Sequence, residues 1–259
     1  MHHQMIGLQF LGSGSAFTVG ANNFQSNILL VNENDDKLLL DCGSDIRFSL
    51  FRAGYSYLDI TDIYISHLHT DHVGGLEYIG FNSKFNPDKG RPTLYIHEAL
   101  KDDIWQKTLS GGMRYLDDEI VEIDSFFELA AIPDQKYFIW SGVEFNPVRV
   151  FHINSKDHNL MPSYGLFFKL NDQQIFLTTD TQFCPDELSQ YYEQADVIFQ
   201  DCETTSFHSH VHAHYQELNG LPSKIKEKMW LYGYQPGELP DAEADGFKGF
   251  VACGQRFDY

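Results

Sequence analysis

The chain has 259 residues, of which 42% are hydrophobic and 15% aromatic, enough to bury the core of one α/β domain spanning 1–259. Its 18 basic and 37 acidic residues give a formal charge of −19, which opposes binding of a long nucleic acid but admits a small anionic substrate. No apolar run approaches the roughly 20 residues that a transmembrane helix needs, and no signal-peptide pattern is present, so we expect a cytoplasmic protein without a membrane partner.

The cysteines of the chain are widely separated and include no CxxC pair; they are Cys42, Cys184, Cys202 and Cys253. This spacing argues against a zinc ribbon and against a disulfide framework, so reduced and mostly buried thiols are expected. A homodimer is compatible with the sequence, which does not specify the oligomeric state.

Short β-type runs separated by turn signals recur along the chain. The predicted strands are 6–11, 26–31, 37–41, 62–66, 93–96, 137–140, 144–151, 165–170, 174–178, 197–200 and 229–232. The predicted helices are 45–53, 73–81, 98–109, 186–193 and 221–228. This order favours two β-sheets packed face to face with helices outside. The segment 81–134 has the weakest periodicity, and we expect it to hold a cap or lid.

The segment IYISHLHTDHVGG, residues 63–75, is the most informative stretch. In an extended segment, His67 and His69 are two positions apart and project to the same side. Asp71 and His72 fall at the start of the following helix and face the same space from another direction. Three imidazoles and a carboxylate suit Zn²⁺, with Mn²⁺ or Fe as alternatives. The competing interpretation is a surface turn rich in histidine, which four ligand-type residues within six positions disfavour.

The stretch HLHTDHVGG resembles the HxHxDH signature of the metallo-β-lactamase superfamily. LLLDCG, with Asp41, resembles the first motif of that family, whose aspartate braces the metal loop. Asp180 in FLTTDT resembles the carboxylate that bridges two divalent metal ions. The resemblance implies an αββα sandwich of two mixed β-sheets, and a third ligand histidine. His152 and His158 are both candidates, and His152 is favoured because it closes a predicted strand directly.

The beginning of the chain indicates which branch of this superfamily the sequence resembles. FLGSGSAF and NNFQSN, within residues 10–27, resemble the opening of the ribonuclease Z-like phosphodiesterases. A Gly/Pro-rich arm of the kind that holds tRNA is not found, and the acidic charge is unsuited to that partner. Without these two features, the sequence resembles the small cyclic-nucleotide phosphodiesterases of the same fold, including phage enzymes that destroy cyclic-nucleotide defence signals. The resemblance implies a metal-dependent phosphodiesterase acting on a small phosphodiester, in which Asp71 both ligates a metal and orients the nucleophile.

A second group of histidines alternates along FHSHVHAH, at positions 208, 210, 212 and 214. An auxiliary metal-binding patch and a partly exposed loop are both compatible with this pattern. The ribonuclease Z resemblance implies that His212 protonates the leaving group and that Asp201 orients it. An aspartate partner could bring the pKa of such a general acid near the operating pH.

One position departs from the family pattern. The last core strand should end in a further ligand histidine, and MWLYGY has Gly233 there. A neighbouring residue could substitute, the second metal could bind weakly, or the site could be altered. Gly233→His should raise affinity for the second metal if the strand end can accept a Cβ atom.

Two other functions stay open: hydrolysis of an ester, lactone or thioester, and metal binding with impaired turnover.

Overall fold

The computed structural model describes residues 5–19, 22–155 and 158–259. Its strands are β1 (Ile6–Phe10), β2 (Ile28–Asn32), β3 (Lys37–Leu40), β4 (Asp62–Ile65), β5 (Thr93–His97), β6 (Tyr115–Leu116), β7 (Glu119–Ile120), β8 (Glu128–Ile132), β9 (Phe138–Trp140), β10 (Val143–Ser155), β11 (His158–Leu170), β12 (Gln173–Leu177), β13 (Val197–Asp201), β14 (Met229–Tyr232), β15 (Gly249–Phe250) and β16 (Arg256–Asp258). Its α-helices are α1 (Ile46–Ala53), α2 (Thr70–Val73), α3 (Leu76–Phe85), α4 (Lys101–Asp103), α5 (Ser110–Met113), α6 (Pro185–Gln194), α7 (Tyr215–Asn219) and α8 (Ser223–Lys226). Short 3₁₀ turns occupy Tyr57–Asp59, Glu98–Leu100 and Ile123–Ser125, and a π turn occupies Ile104–Leu109.

The described strands form two seven-stranded sheets and one small hairpin, β6–β7. The first sheet has the order β16-β1-β2-β3-β4-β5-β8, and the second has the order β15-β14-β13-β12-β11-β10-β9. Each sheet is mixed: β1 to β3 and β9 to β12 pair antiparallel, whereas β3-β4-β5-β8 and β12-β13-β14-β15 pair parallel. The sheets therefore each have a hairpin-built half and a parallel half that needs helical crossovers.

The core consists of three apolar layers, as expected for a sandwich with helices on both sides. The central layer joins the two sheets, where Phe10 packs against Phe199 with ring centroids 5.2 Å apart. One outer layer joins the first sheet to α1 and α3 through Leu50 and Ile79. The other joins the second sheet to α6 and α8 through Leu188 and Ile225. The αββα sandwich expected from the sequence is confirmed.

Most differences from the predicted elements lie in short or edge segments, but the interior strand β11 begins at His158 rather than at the predicted residue 165. β8 was not predicted because only its last residue, Ile132, is buried, so the sequence lacks an apolar alternation. β15 and β16 have two and three residues, too few for any periodicity. The helix predicted at 98–109 is broken into a 3₁₀ turn, α4 and a π turn. Segment 81–134 contributes β5 and β8 to the first sheet, and a lid within it stays a prediction.

Two further observations concern the chain as a whole. Cys42 and Cys202 are buried, Cys184 and Cys253 are partly exposed, and all four are free thiols, as predicted. Within the described ranges, no helix combines the length and apolar character that crossing a bilayer requires.

Candidate metal centre and active site

The residues predicted to carry the chemistry lie where parallel strands end. Asp41 follows β3, and His67 follows β4 after one residue. In the second sheet Asp180 lies three residues beyond the end of β12, and Asp201 is the last residue of β13. Because the carboxyl ends of neighbouring parallel strands meet at one edge, these side chains converge there.

The turn from β4 into α2 and α3 depends on close backbone contacts. His69 is the residue before α2, and its carbonyl accepts hydrogen bonds from the backbone N–H groups of His72 and Val73 at 2.9 and 3.0 Å. A Cβ atom on Gly75 would lie 2.4 Å from the carbonyl oxygen of Gly43, so this position admits only glycine. The glycine therefore lets the metal-binding turn pack against the loop after β3, as the motif suggested.

Three imidazoles converge on one point. Nδ1 of His69 lies 3.1 Å from Nε2 of His67 and 3.0 Å from Nε2 of His152. Nitrogen ligands of a tetrahedral zinc ion stand about 3.3 Å apart, since Zn–N bonds are near 2.0–2.1 Å. Ser66 donates its hydroxyl to Asp41 at 2.7 Å, so it accepts from Nδ1 of His67 at 3.0 Å and leaves Nε2 with a free lone pair. These nitrogens suit a divalent metal ion.

His152 lies in the interior of a strand, and the expectation that it closes one is wrong. β10 continues to Ser155, and its register against β11 shifts between Val150 and Ile153. This β-bulge re-aims the side chain of His152 toward the metal cluster. Its Nδ1 donates to the carbonyl oxygen of Val211 at 2.7 Å, which leaves Nε2 for a ligand. His158 pairs with Ser155 at the start of β11, and its side chain lies outside the described residues.

A second group comprises Asp71, His72 and Asp180, whose ligand atoms lie within 4.8 Å of one another. Nε2 of His72 is 3.1 Å from Oδ2 of Asp71 and 3.2 Å from Oδ2 of Asp180. The same oxygen of Asp180 is 3.9 Å from Nε2 of His67 and 3.8 Å from Nε2 of His152. Asp180 therefore lies between the two groups, the position of a carboxylate that serves both.

Burial acts to lower the pKa of both His67 and His72, but the net shifts of the two pKa values are opposite because their charged neighbours differ. Burial, with the neighbouring His72, holds the pKa of His67 well below its usual value, which keeps this imidazole neutral and able to bind a metal. Burial also acts to lower the pKa of His72, but the carboxylates of Asp180 and Asp71 outweigh it and raise that pKa well above its usual value. The second group thus attracts positive charge strongly.

Beside these groups, Nδ1 of His212 lies 2.7 Å from Oδ2 of Asp201. The same carboxylate oxygen accepts the backbone N–H of Thr181 at 2.9 Å, which fixes its orientation. Burial acts to lower the pKa of His212, but Asp201 outweighs it and raises the pKa to about 10. Nδ1 of His212 also lies 3.9 Å from Oδ2 of Asp180, so the pair adjoins the metal cluster.

The other three histidines of the alternating segment have different surroundings. His214 precedes α7 as its N-cap: its Nδ1 accepts the N–H of Gln216, and its Nε2 donates to the carbonyl oxygen of Thr205. His208 stacks on His214 at 3.9 Å, and His210 is exposed. Of the four, His212 alone joins a group of converging ligand atoms within the described ranges.

Gly233 follows β14, as the sequence indicated, but no other residue fits there. Its φ is 79°, in the region that favours glycine. A Cβ atom built on it would lie 2.6 Å from Oδ1 of Asp201. The strand end therefore does not accept a Cβ atom, and Gly233→His is not a usable test of a vacated ligand position.

A cavity of about 430 Å³ opens onto the cluster, a size typical of small-molecule sites. Residues of both metal groups and His212 line it. The remaining lining residues were not predicted as site residues; they are Ala16, Phe17, Gln25, Ser44, Thr70 and Val211. All but Ser44 lie within segments that the sequence had singled out: Ala16 and Phe17 in FLGSGSAF, Gln25 in NNFQSN, Thr70 in HLHTDHVGG and Val211 in FHSHVHAH. Lysine and arginine are absent from the described lining.

The fold resembles solved structures of one class. The metallo-β-lactamase fold protein YhfI from Bacillus subtilis superposes with a TM-score of 0.75 at 17% identity, covering 99% of this chain and 100% of that one. The αββα architecture and the converging histidine and aspartate side chains define a metal-dependent hydrolase of the metallo-β-lactamase fold.

Residues 6–257 match the family model described as Anti-Pycsar protein Apyc1, and the chain belongs to this family. The Apyc1 protein of Paenibacillus harenae is 31% identical over 229 residues, covering 88% of this chain and 89% of the relative. That of Paenibacillus sp. (strain J14) is 33% identical over 230 residues, covering 88% of each. The superfamily and branch indicated by the sequence are confirmed.

Proposed function

We propose that the protein is a phosphodiesterase that opens a cyclic nucleotide to a linear nucleoside monophosphate. The observation that carries this proposal is that residues of both metal-binding groups, together with His212, line one cavity of nucleotide size. Membership in the Anti-Pycsar Apyc1 family supports the substrate class, as does the resemblance of the opening segment to small cyclic-nucleotide phosphodiesterases.

The donor set fits two divalent ions, of which Zn²⁺ suits the nitrogen-rich group best and Mn²⁺ or Fe are alternatives. His67, His69 and His152 would hold the first ion, and Asp71 and His72 the second, with Asp180 shared between them. When bound, two such ions activate a water as the nucleophile and offset charge on the phosphoryl oxygens.

The chain's own residues supply the proton transfers. The carboxylate of Asp71 is placed to orient the attacking water, since it lines the cavity beside His72. His212 gives the proton on Nε2 to the departing alkoxide oxygen, which leaves as a hydroxyl. Asp201 accepts the hydrogen bond from Nδ1 and so holds the ring in the orientation that presents Nε2.

The charge of the cavity lining supports a small diester, rather than a neutral ester, as the substrate. Because its described lining contains no lysine or arginine, the positive charge there comes from His212 and from bound metal. Such a concentrated charge stabilises a phosphoryl group, whose negative charge is spread over several oxygens. A neutral ester, lactone or thioester would gain less from it.

The test is hydrolysis of 3′,5′-cyclic nucleotides by protein loaded with Zn²⁺ or Mn²⁺, with product separation by chromatography. We expect a linear monophosphate as product, loss of the reaction in a chelator, and loss in Asp180→Asn. Esters, lactones and thioesters are assayed in parallel with the same protein. Faster turnover of one of those compounds than of any cyclic nucleotide contradicts the proposal. Metal binding with no turnover of any substrate assigns the protein to metal binding alone.

A further inference from the structure

Phe17 is an aromatic side chain at the mouth of the catalytic cavity. It is 93% exposed, although phenylalanine is among the residues most often buried. Within the described ranges, it joins none of the three hydrophobic clusters. It nevertheless lines the same cavity as Asp71, Asp180 and His212. Its ring is therefore available to a ligand whose charged part reaches the metal cluster.

The backbone on both sides of Phe17 is fixed to the fold. The carbonyl oxygen of Ala16 accepts a hydrogen bond from Nε2 of Gln25 at 2.9 Å. The N–H of Ser15 donates to the carbonyl oxygen of Tyr234 at 3.0 Å, and the N–H of Thr18 donates to that of Ser15 at 3.1 Å. The loop is thus tied to the strand-end loops of both sheets. Because this backbone is already ordered, little conformational entropy is lost when the aromatic ring contacts a ligand.

The cavity is lined by two chemically different kinds of side chain. The metal-binding carboxylates and imidazoles are where the phosphoryl group of a diester must react. Ala16 and Phe17, on the loop that follows β1, add apolar side chains to the same lining. A cyclic nucleotide matches this division, since a planar aromatic base is attached to a sugar that carries the phosphodiester. Every nucleobase has a π-face on which an aromatic side chain can stack.

On the basis of the proposed function, we infer that Phe17 stacks on the nucleobase of the bound substrate and forms a base-binding subsite. This contact involves a part of the substrate that does not react. It stabilises the ground state and the transition state alike, so its loss should raise KM with little change in kcat. Base–aromatic stacking corresponds to roughly a 5- to 100-fold change in affinity on alanine substitution.

Two substrates separate stacking from a structural role of the loop. Metal-loaded wild type, Phe17→Ala and Phe17→Trp are compared on 3′,5′-cyclic AMP and on a base-free ribose 3′,5′-cyclic phosphate. We expect Phe17→Ala to raise KM for cyclic AMP roughly 5- to 100-fold, to leave the base-free diester unaffected, and Phe17→Trp to restore the wild-type value. Phe51→Ala, which removes an 83%-exposed ring on α1, is the matched control and should change neither substrate. An equal effect on both substrates, or on neither, overturns the subsite.

A binding measurement distinguishes failure of the subsite from failure of the proposed function. Titration calorimetry of metal-loaded protein with a phosphorothioate analogue of cyclic AMP that resists hydrolysis reports affinity, and turnover of cyclic AMP itself is followed separately. If binding depends on Phe17 but no hydrolysis occurs, the result supports the base-binding subsite and contradicts the proposed function. If hydrolysis occurs but the affinity does not depend on Phe17, the result supports the proposed function and contradicts the subsite. Absence of both binding and hydrolysis removes both.

Discussion

Oδ2 of Asp41 lies 2.7 Å from Nδ1 of His72, and this contact joins the loop after β3 to the metal-binding turn after β4. The same carboxylate accepts the N–H of Ser66 at 2.8 Å and its hydroxyl at 2.7 Å. Asp41 has a φ of 63°, a strained conformation that the surrounding contacts maintain. One buried carboxylate thus orients His72 directly and His67 through Ser66, which is the bracing role that the sequence resemblance implied.

Asp41→Asn should lower metal affinity by roughly 10- to 100-fold, the usual cost of losing a group that orients a ligand. The amide retains one oxygen, so it cannot accept from the backbone N–H of Ser66 as well as from the Ser66 hydroxyl and His72. Competition with a chromophoric chelator measures the affinity. Asp172→Asn, at a side chain 90% exposed in the turn before β12, is the matched control and should be unchanged. Wild-type affinity in Asp41→Asn would contradict the bracing role.

Metal content tests the ligand assignment. Protein purified without chelator should carry one to two transition-metal ions per chain, because two groups of ligand atoms converge. His67→Ala and His152→Ala should each lose most of the bound metal, whereas His158→Ala should retain it. Elemental analysis of the three variants decides between His152 and His158. Finding no metal in the wild type, and no uptake of added Zn²⁺ or Mn²⁺, would exclude the metal site.

The local parts of the site were predictable from the sequence, since they depend on short-range geometry. His67, His69, Asp71 and His72 follow from alternation along a strand end and the first turn of a helix. Asp180, at the end of an apolar strand, was predicted from the resemblance of FLTTDT to the family's bridging carboxylate. These features need no knowledge of how the two sheets pack, and the structure places all five side chains together.

What the sequence could not indicate depends on long-range contacts. The bulge that turns His152 into the cluster arises from pairing with β11, and no local pattern marks it. Phe17 looks like part of an ordinary loop until the fold brings it to the cavity. The close approach of Gly233 to Asp201 is likewise a long-range contact that the sequence did not indicate, and the interpretation of Gly233 as a vacated ligand position stays a prediction.

Because Gly233 lies against Asp201, we expect a substitution at Gly233 to lower stability by more than backbone strain alone would. Gly54 and Gly233 have similar φ values, 85° and 79°, but a Cβ atom on Gly54 meets nothing within 4 Å. Gly54→Ala should therefore cost about 1–2 kcal/mol of stability, and Gly233→Ala about 1–3 kcal/mol more. Gly233→Ala should also lower kcat, because it displaces the carboxylate that holds His212. Urea denaturation and steady-state kinetics check both; equal behaviour of the two variants would refute the contact.

Charge predicts a limit on substrate size. With 18 basic and 37 acidic residues, the chain should hydrolyse small phosphodiesters but give little 3′ processing of precursor tRNA. The measurement is cleavage of a labelled precursor tRNA at physiological salt, beside bis-p-nitrophenyl phosphate as the small substrate. Efficient tRNA cleavage under those conditions would show that a local basic surface outweighs the net charge.

His212→Asn should separate proton donation from metal binding. A general acid contributes about 10²–10⁴-fold, so turnover of a cyclic nucleotide, whose leaving group is an alkoxide, should fall within that range. Bis-p-nitrophenyl phosphate should be much less affected, because p-nitrophenolate leaves without needing a proton, and metal content should stay at the wild-type level.

Three further variants complete this test. His210→Asn is the matched control: His210 is exposed and has a φ of 63°, which asparagine tolerates, so this variant should behave as wild type. Asp201→Asn should reproduce the defect of His212→Asn, and the double variant should be no worse than either single one, because the two side chains act as a unit. Equal losses on both substrates in His212→Asn, or loss of metal, would assign His212 to the metal site.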